Sequence, residues 1–312
     1  MLIATTTAES TVRLRSSIDL VGAFLLSSGI AGVLIAVSFG PAWGWGSGST
    51  LAFLVGGLVL LGAWLLSARH IREPLLDPEL LRQRPVFLTS LGAGLAYGTT
   101  SLFTLLLPML AMTPIVLRLG YGFGVDAKGF ALFQAPLGGM LVVGGIVVGM
   151  LVSRGVRPRL LMVTGALLMA FAAAGVAFVP DVKLLIGVFA GIFGTGMGMS
   201  YAAIPNLLIE AVPPQMLAST AGVVGVLQAI LSAVLPVIAF AAMNNSHIAP
   251  IPAELTQGAV FYTSQGFQVA FLIAAAAEAL AALVVFGLPR RIDQVAAPAA
   301  GVERDVPVLV AD

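Results

Sequence analysis

The chain has 312 residues, of which 59% are hydrophobic and only 9% charged, with a net charge of +1 and no cysteine. A soluble domain carries roughly 25% charged residues, so this composition excludes a protein that covers itself with a water-facing surface. It also excludes disulfides and thiolate metal sites, and the near-neutral balance gives a nucleic-acid partner no footing.

Residues 1–17 read as a cytosolic tail. Their apolar opening is only MLIA and a Thr/Ser-rich segment follows, which is not the pattern of a cleavable signal. Beyond it the apolar residues come in span-length blocks. A bilayer core requires about 20 apolar helical residues, because every backbone polar group must be paired inside it. On that criterion the spans are Ile18–Phe39, Leu51–Ala68, Val86–Met112, Gly129–Val152, Leu160–Val179, Leu184–Pro205, Leu217–Met243 and Gly266–Leu288. The expected fold class is an all-α membrane protein with eight transmembrane helices.

The connections differ in character. Trp43 and Trp45, set among glycines in Pro41–Thr50, predict a tight turn anchored at headgroup level. Residues 69–85 hold the longest charge-dense stretch, with Leu76 and Leu80 four apart among charges, which predicts an amphipathic surface linker. Pro108 and Pro114 are expected to end the third helix. The polar NNSH that opens Asn244–Gln265 is expected to end the seventh, and Glu210 falls in a loop beside Pro213.

If the N-terminus lies in the cytosol, twelve of the fifteen Lys and Arg residues fall on the cytosolic side. Only Arg118, Lys128 and Lys183 fall on the other. This satisfies the positive-inside rule with an even number of spans and both termini inside.

The turn Gly149–Leu160, GMLVSRGVRPRL, resembles the loop motif of the major facilitator superfamily. Gly149, Leu151, Arg154 and Arg157 match, while Ser153 stands where the motif has an acid and Val156 where it has a second glycine. The Trp43–Trp45 turn, Glu73–Phe87, Leu119–Met140 and Ile204–Gln228 are, in this order, similar to the fourteen-span drug:proton antiporter branch. The resemblance implies two extra helices over 18–68. It also implies a six-helix C-terminal half-bundle over 86–291 and a cytosolic tail over 292–312.

It further implies that the six N-terminal helices of such a transporter are missing, as from a truncated gene, a split protein or a fragment. Completed, the protein would export a small amphipathic organic compound against protons across a bacterial cytoplasmic (inner) membrane. Its partners would be the lipid bilayer, that substrate, protons and the absent N-terminal half. The alternatives are a non-transporting membrane subunit and a defunct half-transporter. No cofactor, no metal and no enzymatic activity are expected.

Tyr97, Thr100, Ser101 and Thr104 recur at helical spacing and form one polar stripe on the third span. In the resemblance the third, fourth, sixth and seventh spans line the substrate cavity. That makes this stripe, with Gln134, Tyr201, Asn206 and Gln228, the substrate-cavity candidates. The plain alternative for each is helix–helix hydrogen bonding. Gly149, Ser153, Arg154 and Arg157 form the gating-loop candidates. Gly149 is expected to permit close helix approach, and the arginines to meet helix C-termini or acids of the facing half.

Glu278 lies one residue past the centre of the eighth span, where an ionised carboxylate costs about 2.5–3.5 kcal/mol or more. The residue alone reads as a proton site. The resemblance sets the last helix outside the cavity, which favours a role in pairing with a neighbouring subunit or simple drift in a defunct gene. Gly194–Gly198, GTGMG, mimics a dinucleotide fingerprint but lies within a span, where close helix packing explains it. The pairs Gly138–Gly139 and Gly144–Gly145 read the same way.

Overall fold

The computed structural model describes residues 19–68, 83–213, 217–251 and 259–289. The tails and most of the 69–85 linker lie outside the described residues. Among the described residues eight α-helices follow in order: α1 (Leu20–Trp43), α2 (Gly48–Ala68), α3 (Arg84–Met112), α4 (Ala127–Ser153), α5 (Pro158–Phe178), α6 (Lys183–Ala211), α7 (Leu217–Ser246) and α8 (Ser264–Phe286). The shortest has 21 residues, about 32 Å of helix at 1.5 Å per residue, which matches the hydrocarbon core of a bilayer. All eight are long and apolar enough to cross a membrane. The chain is a multi-pass, all-α membrane protein. Among the described residues the β-type pairing is a single bridge between Ile248 and Tyr262.

Three expected helix ends move, while α3 ends at Met112 as expected, just before Pro114, with Pro108 inside it. Helix α1 continues through Pro41 to Trp43, because the Trp43 ring stacks on Phe39 one turn back at 4.8 Å and leans on Phe53 of α2. The turn then shrinks to residues 44–47, with Gly44 at φ 87° and the Thr50 hydroxyl donating to its carbonyl at 3.0 Å. Pro108 does not end α3, nor Pro205 α6. Leu110 and Ala111 beyond Pro108, and Leu207 and Ala211 beyond Pro205, are fully buried. Their packing carries each helix past its missing hydrogen bond.

Glu210 therefore sits in the last turn of α6 rather than in a loop. Helix α7 likewise runs through Asn244 to Ser246. The Asn244 side chain accepts a 2.7 Å hydrogen bond from the Tyr262 hydroxyl, which makes a polar residue useful there.

The helices pack in the lateral order α4, α6, α5, α8, α3, α7, α1, α2, and contact between α3 and α6 closes a ring of α3, α8, α5 and α6. Exchanging α3, α4 and α5 for α6, α7 and α8 reproduces the same set of neighbours: α4 lies on α6 as α7 lies on α3. The six helices are thus two three-helix repeats, an arrangement common among secondary transporters. The α1–α2 hairpin stands outside and attaches through α1 to α7.

Missing side chains set the closest approaches. A Cβ on Gly98 of α3 would stand 2.6 Å from the Leu231 carbonyl oxygen of α7. The same hypothetical atom on Gly194 or Gly198 of α6 would meet backbone oxygens of α4 at 2.1 and 2.0 Å. Close packing is thus the role of the GTGMG run. Of the α4 pairs, only Gly144 makes such an approach, against the Thr195 carbonyl. Gly138, Gly139 and Gly145 face open space, because α4 lies against α6 along one side only. Phe103 of α3 stacks on Phe193 of α6 at 3.9 Å and takes Phe271 of α8 edge-on at 5.5 Å, joining three ring helices in one buried cluster.

Candidate functional site

Near the middle of α3 and α6 a polar group forms where the two repeats meet. The Tyr97 ring lies on that of Tyr201, with centroids 4.0 Å apart and planes 14° from parallel. The Tyr201 hydroxyl meets the Thr100 side chain. Thr100 is buried and donates to the Ala96 carbonyl at 2.9 Å, while Thr104 donates to the Thr100 carbonyl at 2.8 Å. Both threonines donate within their own helix, so the tie from the stripe across to α6 is the one between Thr100 and the Tyr201 hydroxyl. It leaves two half-buried phenol rings as the exposed part of the group.

The other cavity candidates stand apart. Ser101 is half-buried on α3, Gln134 is exposed on α4, and Gln228 is half-buried on α7. None of them is bonded to the tyrosines. The Asn206 amide donates to the Ala202 carbonyl at 2.7 Å, inside α6. Two open apolar grooves lie elsewhere. One of about 700 Å³ runs between α4 and α6 past Phe133, Pro136 and Gly191, with Lys183 and Thr195 as its polar lining. The other, of about 630 Å³, lies between α1 and α7.

The α4–α5 turn departs from expectation. Gly149 is exposed and a Cβ there would meet nothing within 4 Å, so it mediates no close approach among the described residues. Ser153 bonds back to the Met150 carbonyl at 2.8 Å, and Gly155, at φ 83°, makes the turn. Arg154 caps α4 and is exposed. Arg157 precedes α5 and lies within electrostatic range of Glu210 on α6. The helix C-terminus is met by Arg159, whose Nη2 donates to the Phe286 carbonyl at the end of α8. Its guanidinium also sits 4.9 Å over the Phe286 ring. This contact pairs a cation with the negative end of a helix dipole. The sequence showed Arg159 only as one more loop arginine.

At the opposite ends of the helices Tyr121 donates to the Tyr262 carbonyl at 2.6 Å, fastening the α3–α4 connection to the segment before α8. Burial pushes the Tyr121 phenol up to about 12, against a smaller opposing effect of its bonds to Thr113 and Tyr262.

Glu278 is fully buried on α8. It faces the interior of this chain, so pairing with a neighbouring subunit is overturned. Its stripe on α8 includes Phe271, Ala274 and Val285, which pack toward α3 and its neighbours inside the ring.

Several known transporters are similar to this chain. The tetracenomycin C resistance and export protein of Streptomyces glaucescens is 27% identical over 218 residues, covering 69% of this chain and 38% of that protein. The multidrug transporter protein MdtP of Bacillus subtilis is 27% identical over 186 residues, 58% of this chain and 32% of its own length. The lincomycin resistance protein LmrB of Listeria monocytogenes is 23% identical over 285 residues, 88% of this chain and 55% of its own. The chain thus spans about a third to a half of the curated relatives it matches. Residues 13–236 match the model of the Major Facilitator Superfamily. With its two three-helix repeats meeting at mid-length, the chain belongs to the major facilitator superfamily.

Proposed function

We propose that the chain forms two additional helices and one six-helix half of a proton-coupled exporter of amphipathic organic compounds. The reading follows the fourteen-span branch of the superfamily, in a bacterial cytoplasmic membrane with both termini in the cytosol. The observation that carries it is the Tyr97–Tyr201 stack with Thr100, at mid-length between the two repeats. Transporters built from such repeats bind substrate near the membrane midplane at the repeat interface. Stacked phenol rings offer aromatic faces with a polar edge, which suits an amphipathic ligand. The names of the three relatives above, each of drug resistance or drug export, support the substrate class.

Half a cavity transports nothing alone, so the working unit contains a second six-helix bundle facing this one. Relatives of which the matched stretch is only 38% and 55% support that composition. The cavity candidates Ser101, Thr104, Gln134, Asn206 and Gln228 join Tyr97, Thr100 and Tyr201 on this side of the pathway. Gly149, Ser153, Arg154 and Arg157 form its cytosolic gate.

The test is dye movement in everted membrane vesicles carrying the chain together with a six-helix N-terminal half from a relative. Uptake that collapses with a protonophore and falls when Tyr97 and Tyr201 are both changed to Ala is the expected result. Vesicles in which dye movement matches empty membranes would identify a non-transporting subunit instead.

A further inference from the structure

The antiparallel contact of α3 and α8 is fixed at two places. Phe103 meets Phe271 edge-on, and eleven residues earlier on α3, Gly92 lies against Val285, where a Cβ would stand 2.4 Å from the valine methyl. Between these contacts α8 presents Glu278 and α3 presents Thr99, both fully buried. The Thr99 hydroxyl stands beside the Glu278 carboxyl. Neither carboxyl oxygen completes a hydrogen bond, and nor does that hydroxyl.

Every element packed against α8 fails to supply a positive charge there. Helix α3 brings Tyr97 and, at its far end, Arg84; α5 brings only Arg159, which is engaged at the end of α8; α7 carries no charged or titratable side chain. Across the ring, Tyr201 of α6 lies within electrostatic range of the carboxyl. A buried charge is stable when paired, hydrogen-bonded or bound to a metal. Among the described residues this carboxyl has no such partner, so its neutral form is the one that fits the packing.

We propose that the Glu278 carboxyl is a proton-binding site inside the six-helix bundle, carrying its proton while α8 stays packed on α3 and releasing it when the two helices part. The step is a simple exchange: the carboxyl O–H bond breaks, the electron pair stays on oxygen, and the proton passes to an entering water. The helix carrying the site lies beyond the stretch matched by the family model. Its purpose rests on the proton-coupled transport reading, but its existence does not.

Infrared spectroscopy of the full chain in lipid nanodiscs tests it directly. At neutral pH the parent shows the carbonyl band of a protonated carboxylic acid, moved in heavy water and absent from E278Q. Absence of the band, or its persistence in E278Q, overturns the proposal. T99V keeps the band but moves it, and an unmoved band likewise counts against the site. This second variant serves if E278Q fails to fold.

The chain has no cysteine, so A282C supplies a unique thiol on buried α8. Relative to a small exposed thiol, its labelling rises severalfold between neutral and alkaline pH in the parent and stays flat in E278Q. An equal rise in both overturns the release step. Loss of dye movement with the infrared band intact would sink the transport reading and leave the site standing.

Discussion

Tyr97 of α3 and Tyr201 of α6 lie face to face, their rings 4.0 Å apart, at the place where the two three-helix repeats touch. An aromatic pair contributes about 0.5–1.5 kcal/mol beyond the area it buries. Tyr97→Ala is therefore expected to weaken binding of an aromatic cationic dye by about fivefold, the equivalent of about 1 kcal/mol. Tyr97→Phe keeps the stack and stays within twofold. Dye titration by fluorescence anisotropy on the completed transporter checks both.

The approach of α3 to α7 leaves no room for a side chain at Gly98. Gly98→Val is expected to destabilise the bundle by about 1–3 kcal/mol through forced separation of the two backbones. Gly149→Ala, where a Cβ would meet nothing, is neutral or stabilising by up to about 1 kcal/mol. Thermal unfolding in one detergent, followed by tryptophan fluorescence, separates the two. Equal melting temperatures would refute the packing of α3 on α7.

Arg159 holds the end of α8 by a charge-assisted bond to the Phe286 carbonyl and by its place over the ring. Arg159→Gln removes both and is expected to cost about 1–2 kcal/mol. Arg159→Lys keeps the charge but loses the planar fork, so it falls between parent and Gln. The ordering of the three melting temperatures is the readout.

Tyr121 gives a pH dependence with a definite sign. Its phenol titrates near 12 when folded and near 10.0 when free, so the unfolded chain loses this proton first. The stability it contributes is whole below pH 10 and fades as pH rises through 12. Spectrophotometric titration should show one tyrosinate fewer appearing near pH 12 in Tyr121→Phe than in the parent. The same variant should be less sensitive to unfolding over that window.

The membrane orientation can be read with single cysteines in the cysteine-free chain. A membrane-impermeant maleimide should label Lys128→Cys in intact cells and Ser153→Cys only after permeabilisation. The reverse pattern would overturn the cytosolic placement of the α4–α5 turn.

The helices were legible in the sequence because lipid imposes length and apolarity on each span separately. Their ends were less so. Pro108, Pro205 and Asn244 are local signals for stopping, and each was overruled by distant packing, at Leu110, Ala211 and Tyr262. The polar stripe on α3 was visible as periodicity, but its pairing of Tyr97 with Tyr201 depends on the register between helices about a hundred residues apart, which no local pattern encodes. For the same reason Arg159 went unmarked and Glu278 was set at the edge: both are defined by the far end or the buried side of another helix.

The placement of α8 between α3 and α5 has a consequence for biogenesis. Helices α3 to α7 leave the ribosome before the piece that wedges between the first and third of them exists. A nascent chain halted before Ser264 therefore holds an open crescent in the translocon, with bare flanks on both horns. The ring of α3, α8, α5 and α6 closes only once its last helix has been made.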